Sequence, residues 1–380
     1  MQIYQLGTIN DKKEFLKNLK VEGGGINIMS KKMELFYFYI KDLRTPAANI
    51  LKQDALSIGA ELAVPSGVIM CAKEQYDCLL IGTRKHIEIL AKKELAQPFG
   101  LKELAHELHN FLQTTSHPIE VMGVINANED SFFAGSRFKS EAAIEQIKQM
   151  IADGATIIDI GAVSSRPGAE VVSAEVELER IQPICDLIRS EKLDTSATFS
   201  IDSYTPSVVE YALQSGFKLI NDITGAIDER LIELAIAYHA KLCIMHMQGT
   251  PQMMQTDPHY EDVMVEVSRF FEERITKCEA MGLSREAIIL DVGIGFGKTL
   301  EHNTTLIKHM RHFKKFGCQM LAGASRKSMI DKIVPTSTEE RLPGTLAIHL
   351  KSIEQGVTII RCHDVKEHIQ AIKVWETLNH

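Results

Sequence analysis

Long apolar segments are absent from this chain. No stretch of its 380 residues approaches the roughly 18 consecutive apolar residues of a membrane-spanning helix. The amino-terminal residues lack the basic and apolar regions of a secretion signal. No long run of Lys or Arg offsets the net charge of −8, which argues against a general nucleic-acid surface. We therefore expect a cytoplasmic protein with neither a membrane nor a nucleic acid as partner.

Cysteine pairs are also absent. The seven cysteines are odd in number and scattered, and none forms a Cys-x-x-Cys pair. This usage predicts buried thiols in a reducing cytoplasm, and it argues against a disulfide framework or a zinc site. The residues concerned are Cys71, Cys78, Cys185, Cys243, Cys278, Cys318 and Cys362.

The chain does contain a regular alternation of strand and helix patterns after residue 117. Strands are predicted at 120–125, 156–160, 198–201, 218–220, 241–245, 288–290, 319–322 and 358–360. Helices are predicted at 141–152, 175–188, 206–214, 231–239, 262–281, 303–312, 339–354 and 365–375. Eight repeats within about 265 residues match a (β/α)8 barrel. A doubly wound open sheet is the alternative, because repeat count alone does not show closure.

Polar residues at the strand ends favour the barrel. They are Asn126, Asp159, Asp202, Asn221, Asp222, His246, Asp291, Arg326, Lys327, Arg361 and His363. In a barrel all eight carboxyl ends converge on one mouth, whereas an open sheet would spread them along an edge. Some of these residues, Asp159 and Asp222 above all, could instead cap the following helices. Capping does not explain eight strand ends in register, so the sequence predicts a (β/α)8 TIM barrel.

The first 112 residues predict a small α/β domain. Strands are expected at 35–40 and 77–81, and helices at 11–19, 50–56 and 101–111. Residues 22–25, a Glu followed by three glycines, are interpreted as a flexible turn. A polar linker at 113–117 would separate this accessory domain, to which the sequence assigns no role, from the barrel at 118–380.

A glycine-rich segment at 288–299 is the most informative part of the chain. An apolar run ends in Asp291, and Gly293, Gly295 and Gly297 follow. The order predicts a buried strand, a tight loop and a helix start, with Asp291 at the strand end facing a ligand. A phosphate loop is not favoured, since Val292 stands where that motif requires glycine. Lys298 is then interpreted as a helix-start or surface residue.

The strand-end sequences resemble dihydropteroate synthase from Pro118 to the carboxyl terminus. The matching segments are 121–126, 130–132, 154–161, 164–168, 199–202, 221–223, 245–247, the loop after Asp291, 325–328 and 361–364. The resemblance implies a (β/α)8 fold. It also implies a transferase that joins p-aminobenzoate to 6-hydroxymethyl-7,8-dihydropterin pyrophosphate in folate biosynthesis and releases pyrophosphate.

By this resemblance, Asp202, Asn221, Asp291 and Lys327 would bind the pterin. The residue types fit, because a carboxylate can accept two parallel hydrogen bonds from the 2-amino-4-oxo edge of a pterin. The resemblance further implies a dissociative reaction in which Asp202 stabilises a methylene cation.

The pyrophosphate would contact Asn126, Arg361 and His363, and Asn126 would be the protein ligand of a Mg²⁺ ion. The resemblance thus assigns catalysis to Asp202, Lys327, Arg361 and His363.

The p-aminobenzoate would lie near Ser165, Arg166, Pro167, Phe296 and Ser328, again by resemblance. Sulfonamides would be expected to compete there. The family commonly forms homodimers. The first loop, 127–136, departs from the family pattern, with Asn and Glu at 128–129 in place of Thr-Pro and an alanine at 134 in place of aspartate.

Other functions remain open at this point. A pterin-binding methyltransferase would share the Asp and Asn residues but has no need for the segments at 325–328 and 361–363. The altered first loop would suit a catalytically silent pterin-binding paralogue. A Schiff-base aldolase using Lys327 is a further option on the same barrel.

Overall fold

The structure, a computed structural model, describes residues 1–7, 9–113, 117–127, 136–163, 172–250 and 253–379, without the side chains of 136–139. By its internal contacts the chain divides into two units. One unit comprises Met1–Thr114 with Glu376–His380, and the other comprises Thr115–Trp375. Of the predicted linker only residues 113 and 117 are described, and the predicted domain boundaries stay predictions.

The first unit is a small α/β fold, as the sequence predicts. Its elements are α1 (Lys12–Asn18), α2 (Gly23–Lys32), β1 (Leu35–Arg44), α3 (Thr45–Ile58), β2 (Glu61–Ala63), β3 (Gln75–Thr83), α4 (Arg84–Lys93) and α5 (Leu101–Leu112). The strands form an antiparallel sheet in the order β1-β3-β2. Along β3 buried residues alternate with less buried ones, and Cys78 and Leu80 pack with Leu51 of α3 and Leu90 of α4.

The predicted turn at residues 22–25 is wrong. Gly23 begins α2, and the N–H of Ile26 donates to the carbonyl of Glu22 at 3.0 Å. Ile26 and Ser30 lie four residues apart on one helical face and are both buried. Burial of that face therefore overrides the low helix propensity of the glycines. β2 and α4 were not predicted, because one is only three residues long and the other is strongly charged.

The second unit is a closed barrel of eight parallel strands in the order β10-β11-β4-β5-β6-β7-β8-β9. The strands are β4 (Glu120–Asn126), β5 (Ile157–Gly161), β6 (Thr198–Asp202), β7 (Leu219–Asp222), β8 (Lys241–Met245), β9 (Ile288–Asp291), β10 (Gln319–Ala322) and β11 (Ile359–Cys362). Closure confirms the predicted TIM barrel and excludes the open sheet.

Helices follow the strands around the barrel. They are α6 (Ser136–Ala152), α7 (Ala174–Ser190), α8 (Pro206–Gln214), α9 (Glu229–Ala237), α10 (Val263–Met281), α11 (Leu300–His309), α12 (Ser328–Ile333), α13 (Leu342–Glu354) and α14 (Val365–Asn379). Several predicted helices differ in their bounds, and two of them differ for a reason that the structure shows. The pattern at 303–312 continues as a 3-10 helix, Met310–Phe316, and α13 begins later than predicted with Pro343 in its first turn. The short α12 was not predicted.

The barrel interior is filled by alternate residues of the strands. One apolar layer consists of Met122, Ile157, Leu219, Cys243, Ile289, Leu321 and Ile359. Below it, at the amino ends of the strands, Lys241 donates to the Gln319 side-chain carbonyl at 2.6 Å, and Gln319 donates to the Glu120 carboxylate at 3.5 Å. This row satisfies its polar groups within the protein.

The cysteine prediction is confirmed for six residues and wrong for one. Cys71 is exposed, in the segment between β2 and β3, whereas the other six thiols are buried. Cys71 adopts a positive φ of 52°, which belongs to a surface turn. Within the part of the chain that the structure describes, no helix is long and apolar enough to cross a membrane.

Candidate active site at the carboxyl ends of the barrel strands

Strand alternation brings five predicted polar residues into one mouth. Asp159, Asn221, Asp291 and Arg361 each lie two residues after a member of the interior layer, and Asp202 pairs in register with Asn221. Because side chains alternate along a strand, these residues also face the barrel axis. The sequence prediction that the strand ends converge is confirmed for this group.

Arg361 joins two carboxylates. Its Nε donates to Asp159 Oδ2 and its Nη2 donates to Asp202 Oδ2, each at 2.7 Å. The Asn221 amide donates to the same Asp159 oxygen at 3.0 Å. Asp159 is fully buried, and no donor among the described residues reaches its Oδ1. A buried acceptor without a donor costs the folded state free energy, so a hydrogen bond to this oxygen would be favourable.

Burial acts on the pKa of the charged groups Asp202, Asp291 and Arg361 in the mouth. Burial raises the pKa of Asp202 to about 7, although the Arg361 charge opposes the shift. Burial also raises the pKa of Asp291, against the N–H of Gly293 that donates to it. For Arg361 burial acts to lower the pKa, but Asp159 and Asp202 raise it, so the guanidinium stays charged. The site is therefore suited to a planar ligand rich in N–H donors.

The glycine loop fixes the direction of Asp291. The N–H of Gly293 donates to Asp291 Oδ1 at 2.8 Å. Gly293 has a φ of +67°, and a Cβ there would lie 2.0 Å from the carbonyl oxygen of His246. Gly297 has a φ of +59°, and its Cβ would lie 2.5 Å from the carbonyl oxygen of Gln248. Only glycine fits both positions, so the predicted tight loop is confirmed.

The interpretation of Lys298 as a surface residue is wrong. Lys298 is 1% exposed, and its Nζ lies 3.0 Å from His246 Nδ1, 3.1 Å from His246 O and 2.9 Å from Phe296 O. Burial lowers its pKa to about 7, although the Asp291 charge opposes the shift. The flexible stem lets the ammonium fold back and bind carbonyls that the glycine loop leaves without strand partners. Thr299, the next residue, caps α11.

Lys327 and Phe296 form an adjacent wall of the mouth. The Lys327 Nζ lies 4.1 Å from the centroid of the Phe296 ring, a cation–π contact. Phe296 is 9% exposed and packs against Ile223, Met245 and Met254. Core packing and a ligand-facing role are compatible here, because the ring presents one face to the lysine.

The remaining predicted residues separate into three groups. His363 Nδ1 lies 2.9 Å from Ser325 Oγ, beside the loop that carries Lys327. Asn126 is exposed at the end of β4, and Ser328 is exposed at the start of α12. The predicted p-aminobenzoate residues Ser165, Arg166 and Pro167 lie outside the described residues, as do 128–135 of the first loop.

Asp159 and Asp222, for which the sequence left helix capping as an alternative, have different roles in the structure. Asp222 is fully buried and accepts hydrogen bonds from the Thr224 N–H and hydroxyl and from the Ala226 N–H, so it organises the loop after β7. Asp159 instead belongs to the mouth, although the predicted site did not include it. Its signal was available, because a carboxylate between Ile158 and Ile160 in a buried strand requires a polar partner in the interior.

A metal ion would find few protein ligands here. Among the described residues, no group of three or more His, Cys, Asp or Glu side chains could hold one. Asn126 offers an exposed amide oxygen. Mg²⁺ prefers oxygen ligands and retains several waters, so this donor fits an ion that is held mainly by water and substrate oxygens.

The chain matches known proteins over most of its length. Residues 122–363 match the family model described as pterin binding enzyme. The bifunctional dihydropteroate synthase/dihydropteroate reductase of Helicobacter pylori is 41% identical over 351 residues, which cover 92% of each chain. This relative therefore extends across the first unit as well as the barrel.

Solved structures agree with the barrel. The Yersinia pestis dihydropteroate synthase in a sulfonamide drug complex is 36% identical with a TM-score of 0.64, and the match covers 69% of this chain and 94% of that one. The Xanthomonas albilineans dihydropteroate synthase with 4-aminobenzoic acid is 33% identical with a TM-score of 0.64, covering 69% and 93%.

Proposed function

This chain belongs to the family of pterin-binding enzymes, and on that premise we propose that it catalyses the dihydropteroate synthase reaction. In this reaction the amine of p-aminobenzoate replaces pyrophosphate on the methylene carbon of 6-hydroxymethyl-7,8-dihydropterin pyrophosphate. The enzyme is then a transferase of folate biosynthesis. The observation that carries the proposal is the joint placement of Asp159, Asp202, Asn221 and Asp291 around Arg361 in one barrel mouth.

Pterin recognition follows from the carboxylates. Asp291 would accept hydrogen bonds from the amino edge of the pterin, since the glycine loop holds its side chain in one direction. Asn221 would donate to and accept from the rest of the ring, and Lys327 would donate to its carbonyl or a ring nitrogen. The raised pKa values of Asp202 and Asp291 reflect desolvated carboxyls, which would gain from a ligand that brings N–H donors.

The chemical step would proceed by loss of the leaving group first. The C–O bond breaks, its electron pair leaves with pyrophosphate, and the methylene cation is delocalised into the pterin ring. The carboxylate of Asp202 would stabilise that cation. The neutral amine then forms the C–N bond and loses a proton to solvent, so no strong base is needed.

Arg361 and His363 would bind the pyrophosphate. The two bonds of Arg361 to carboxylates use two of its five N–H donors, and the other three would donate to the anion. We propose Mg²⁺ as the cofactor, with Asn126 as its protein ligand and its remaining ligands from water and the substrate. When bound, the ion would neutralise charge on the leaving group.

We propose that p-aminobenzoate binds beside the Phe296 and Lys327 wall, with Ser328 contacting its carboxylate. Ser165, Arg166 and Pro167 stay assigned to this substrate by resemblance alone. The solved relatives that carry a sulfonamide drug and 4-aminobenzoic acid support competition between sulfonamides and this substrate.

A homodimer and a cytoplasmic location are further proposals. Family resemblance supports the first. The second is supported by the six buried free thiols, which suit a reducing compartment.

A second activity is proposed from the Helicobacter pylori relative, whose name includes dihydropteroate reductase and whose match covers 92% of this chain. Reduction of dihydropteroate adds a hydride to the carbon of its C=N bond and a proton to the nitrogen. A hydride donor of the dihydronicotinamide or reduced-flavin class would be oxidised in the same step.

The deciding experiment mixes the protein with dihydropterin pyrophosphate, p-aminobenzoate and Mg²⁺ and follows dihydropteroate by mass spectrometry. Folded protein that binds the pterin pyrophosphate without releasing pyrophosphate would contradict the synthase and indicate a silent paralogue. Preferred binding of methyltetrahydrofolate would indicate a methyltransferase. Addition of each hydride donor to the product mixture tests the reductase by the appearance of tetrahydropteroate.

A further inference from the structure

Two buried histidines connect the ends of β10 and β11 behind the site. The Ala324 N–H, just after β10, lies 3.0 Å from His349 Nε2 on α13. His349 Nδ1 lies 2.8 Å from His368 Nε2 on α14. His368 Nδ1 lies 2.6 Å from the carbonyl oxygen of Asp364, just after β11. Both histidines are 1% exposed.

Only one arrangement of protons satisfies this chain. The Ala324 N–H can only donate, so His349 Nε2 must accept and His349 Nδ1 must carry the hydrogen. His368 Nε2 then accepts, and its Nδ1 donates to the Asp364 carbonyl. Protonation of either ring would set two donors against each other. Burial lowers the pKa of both histidines, although the Asp364 carbonyl and the Asp364 and Glu367 charges oppose this for His368.

A second set of hydrogen bonds holds the same loop after β10. Together with the bonds of His349 and His368, it forms a circuit of hydrogen bonds between this loop and Asp364. Arg326 Nε and Nη2 donate to the two Asp364 carboxylate oxygens at 3.2 and 2.5 Å. The Arg326 N–H donates to Thr345 Oγ1 at 3.0 Å, and its carbonyl accepts from Arg341 at 3.2 Å. Arg326 has a positive φ of 57°, which a non-glycine residue adopts only when its surroundings hold it.

This loop carries Lys327 and contacts His363, two residues proposed above to bind the substrate. Ser325 contacts His363, and Lys327 contacts the Phe296 ring. We propose that His349 and His368 are positioning residues that fix the loop after β10 against the end of β11, so that Lys327 and His363 bind the pterin pyrophosphate together. The inference rests on the proposed synthase function. Neither histidine touches a substrate, and both act through the loop.

The test compares His368→Leu with His368→Gln. The glutamine amide can accept from His349 and donate to the Asp364 carbonyl, whereas leucine can do neither. His312→Leu is the matched control, because His312 is also a largely buried barrel histidine but bonds to Ser268, away from this loop. We expect His368→Leu to raise the KM for pterin pyrophosphate about tenfold and that for p-aminobenzoate far less, with His368→Gln within about threefold of the parent.

Hydrogen exchange at the Ala324 amide gives a readout that needs no activity. We expect it to accelerate in His368→Leu and to recover in His368→Gln. Equal KM values and unchanged exchange in a folded His368→Leu protein would overturn the proposal, as would the same effects in His312→Leu. If the parent protein makes no dihydropteroate, the proposed function fails while the exchange result still decides the role of the circuit.

Nitrogen NMR of the parent protein covers the case in which His368→Leu does not fold. Two neutral rings with hydrogen on Nδ1 near pH 7 would support the circuit. A charged ring or an Nε2–H tautomer at either histidine would overturn it.

Discussion

The two ends of the barrel interior are both polar, yet they use polarity differently. At the amino ends, Gln319 lies between Lys241 and Glu120, so one positive and one negative charge are joined through an amide. At the carboxyl ends, a single guanidinium bonds two carboxylates, and a buried Asp159 oxygen has no donor within the described residues. Polar groups satisfied by the protein stabilise the fold, whereas unsatisfied groups at a strand end are available to a ligand.

The largest expected effect is at Asp291. Asp291→Asn keeps an oxygen for the Gly293 N–H but presents an amide donor to the donors of the pterin, so kcat/KM should fall about 1000-fold. The unfolding free energy at neutral pH should not fall, because the raised pKa means that ionisation of Asp291 costs the folded state stability. Steady-state kinetics and urea unfolding measure the two quantities.

Asp222→Asn is the matched control for that variant. Both oxygens of the buried Asp222 accept hydrogen bonds from protein groups, so an asparagine would set an amide donor against one of these donors. The variant should therefore lose more stability than kcat/KM, even though burial raises the pKa of Asp222. Equal kinetic losses in the two variants would break the distinction between satisfied and ligand-directed carboxylates.

Substitution of Arg361 tests the guanidinium at the carboxyl ends of the strands. Arg361→Ala leaves two buried carboxylates without their cation, so the unfolding free energy should fall by about 3 kcal/mol, and the KM for pterin pyrophosphate should rise. In an Asp159→Asn background the same substitution should cost less stability, since one uncompensated charge is gone. Additive losses in this double-mutant cycle, measured by urea unfolding, would mean that the pair is not coupled.

Lys298 lies near the carboxyl ends of the strands, but it bonds to protein atoms, as Lys241 and Gln319 do at the amino ends. Its folded pKa near 7 is below that of the unfolded chain, which keeps the proton until about pH 10.4. The unfolded state therefore binds more protons in this window, and stability should rise with pH from about 7 to 10, by about 3.5 kcal/mol. Lys298→Met should remove that slope, whereas Lys308→Met, at an exposed position on α11, should retain it. If the unfolding free energy of Lys298→Met still rises with pH, another group is responsible for the rise.

The smallest effect on stability and kinetics is expected at the amino ends of the barrel strands. Lys241→Met leaves the Gln319 carbonyl without its donor, so the unfolding free energy should fall by about 1 kcal/mol. The kcat/KM should stay within about twofold of the parent, because no proposed substrate contact changes. A large kinetic loss with unchanged stability would reverse the roles assigned to the two ends.

Much of the barrel was predictable because its signals are local. A buried parallel strand appears as a short apolar run, and Asp202 or Asp291 marks its end. Asp159 was predicted at a strand end but not as a site residue, because its place in the mouth depends on the register of β5 with β4 and β6.

Lys298 and the glycines of α2 show features that the local sequence did not predict. Nothing in the residues around Lys298 indicates that its side chain folds back onto His246, because that contact joins segments 52 positions apart. Helix α2 forms although Gly23, Gly24 and Gly25 disfavour it, since burial of Ile26 depends on the rest of the first unit.

The glycine loop also has a consequence for drug resistance. Any side chain at Gly293 or Gly297 would collide with the backbone of the segment after β8, which cannot move aside as a flexible side chain would. An inhibitor whose contacts are confined to Gly293, Gly297 and Asp291 would therefore leave few single substitutions that weaken the drug and preserve the enzyme.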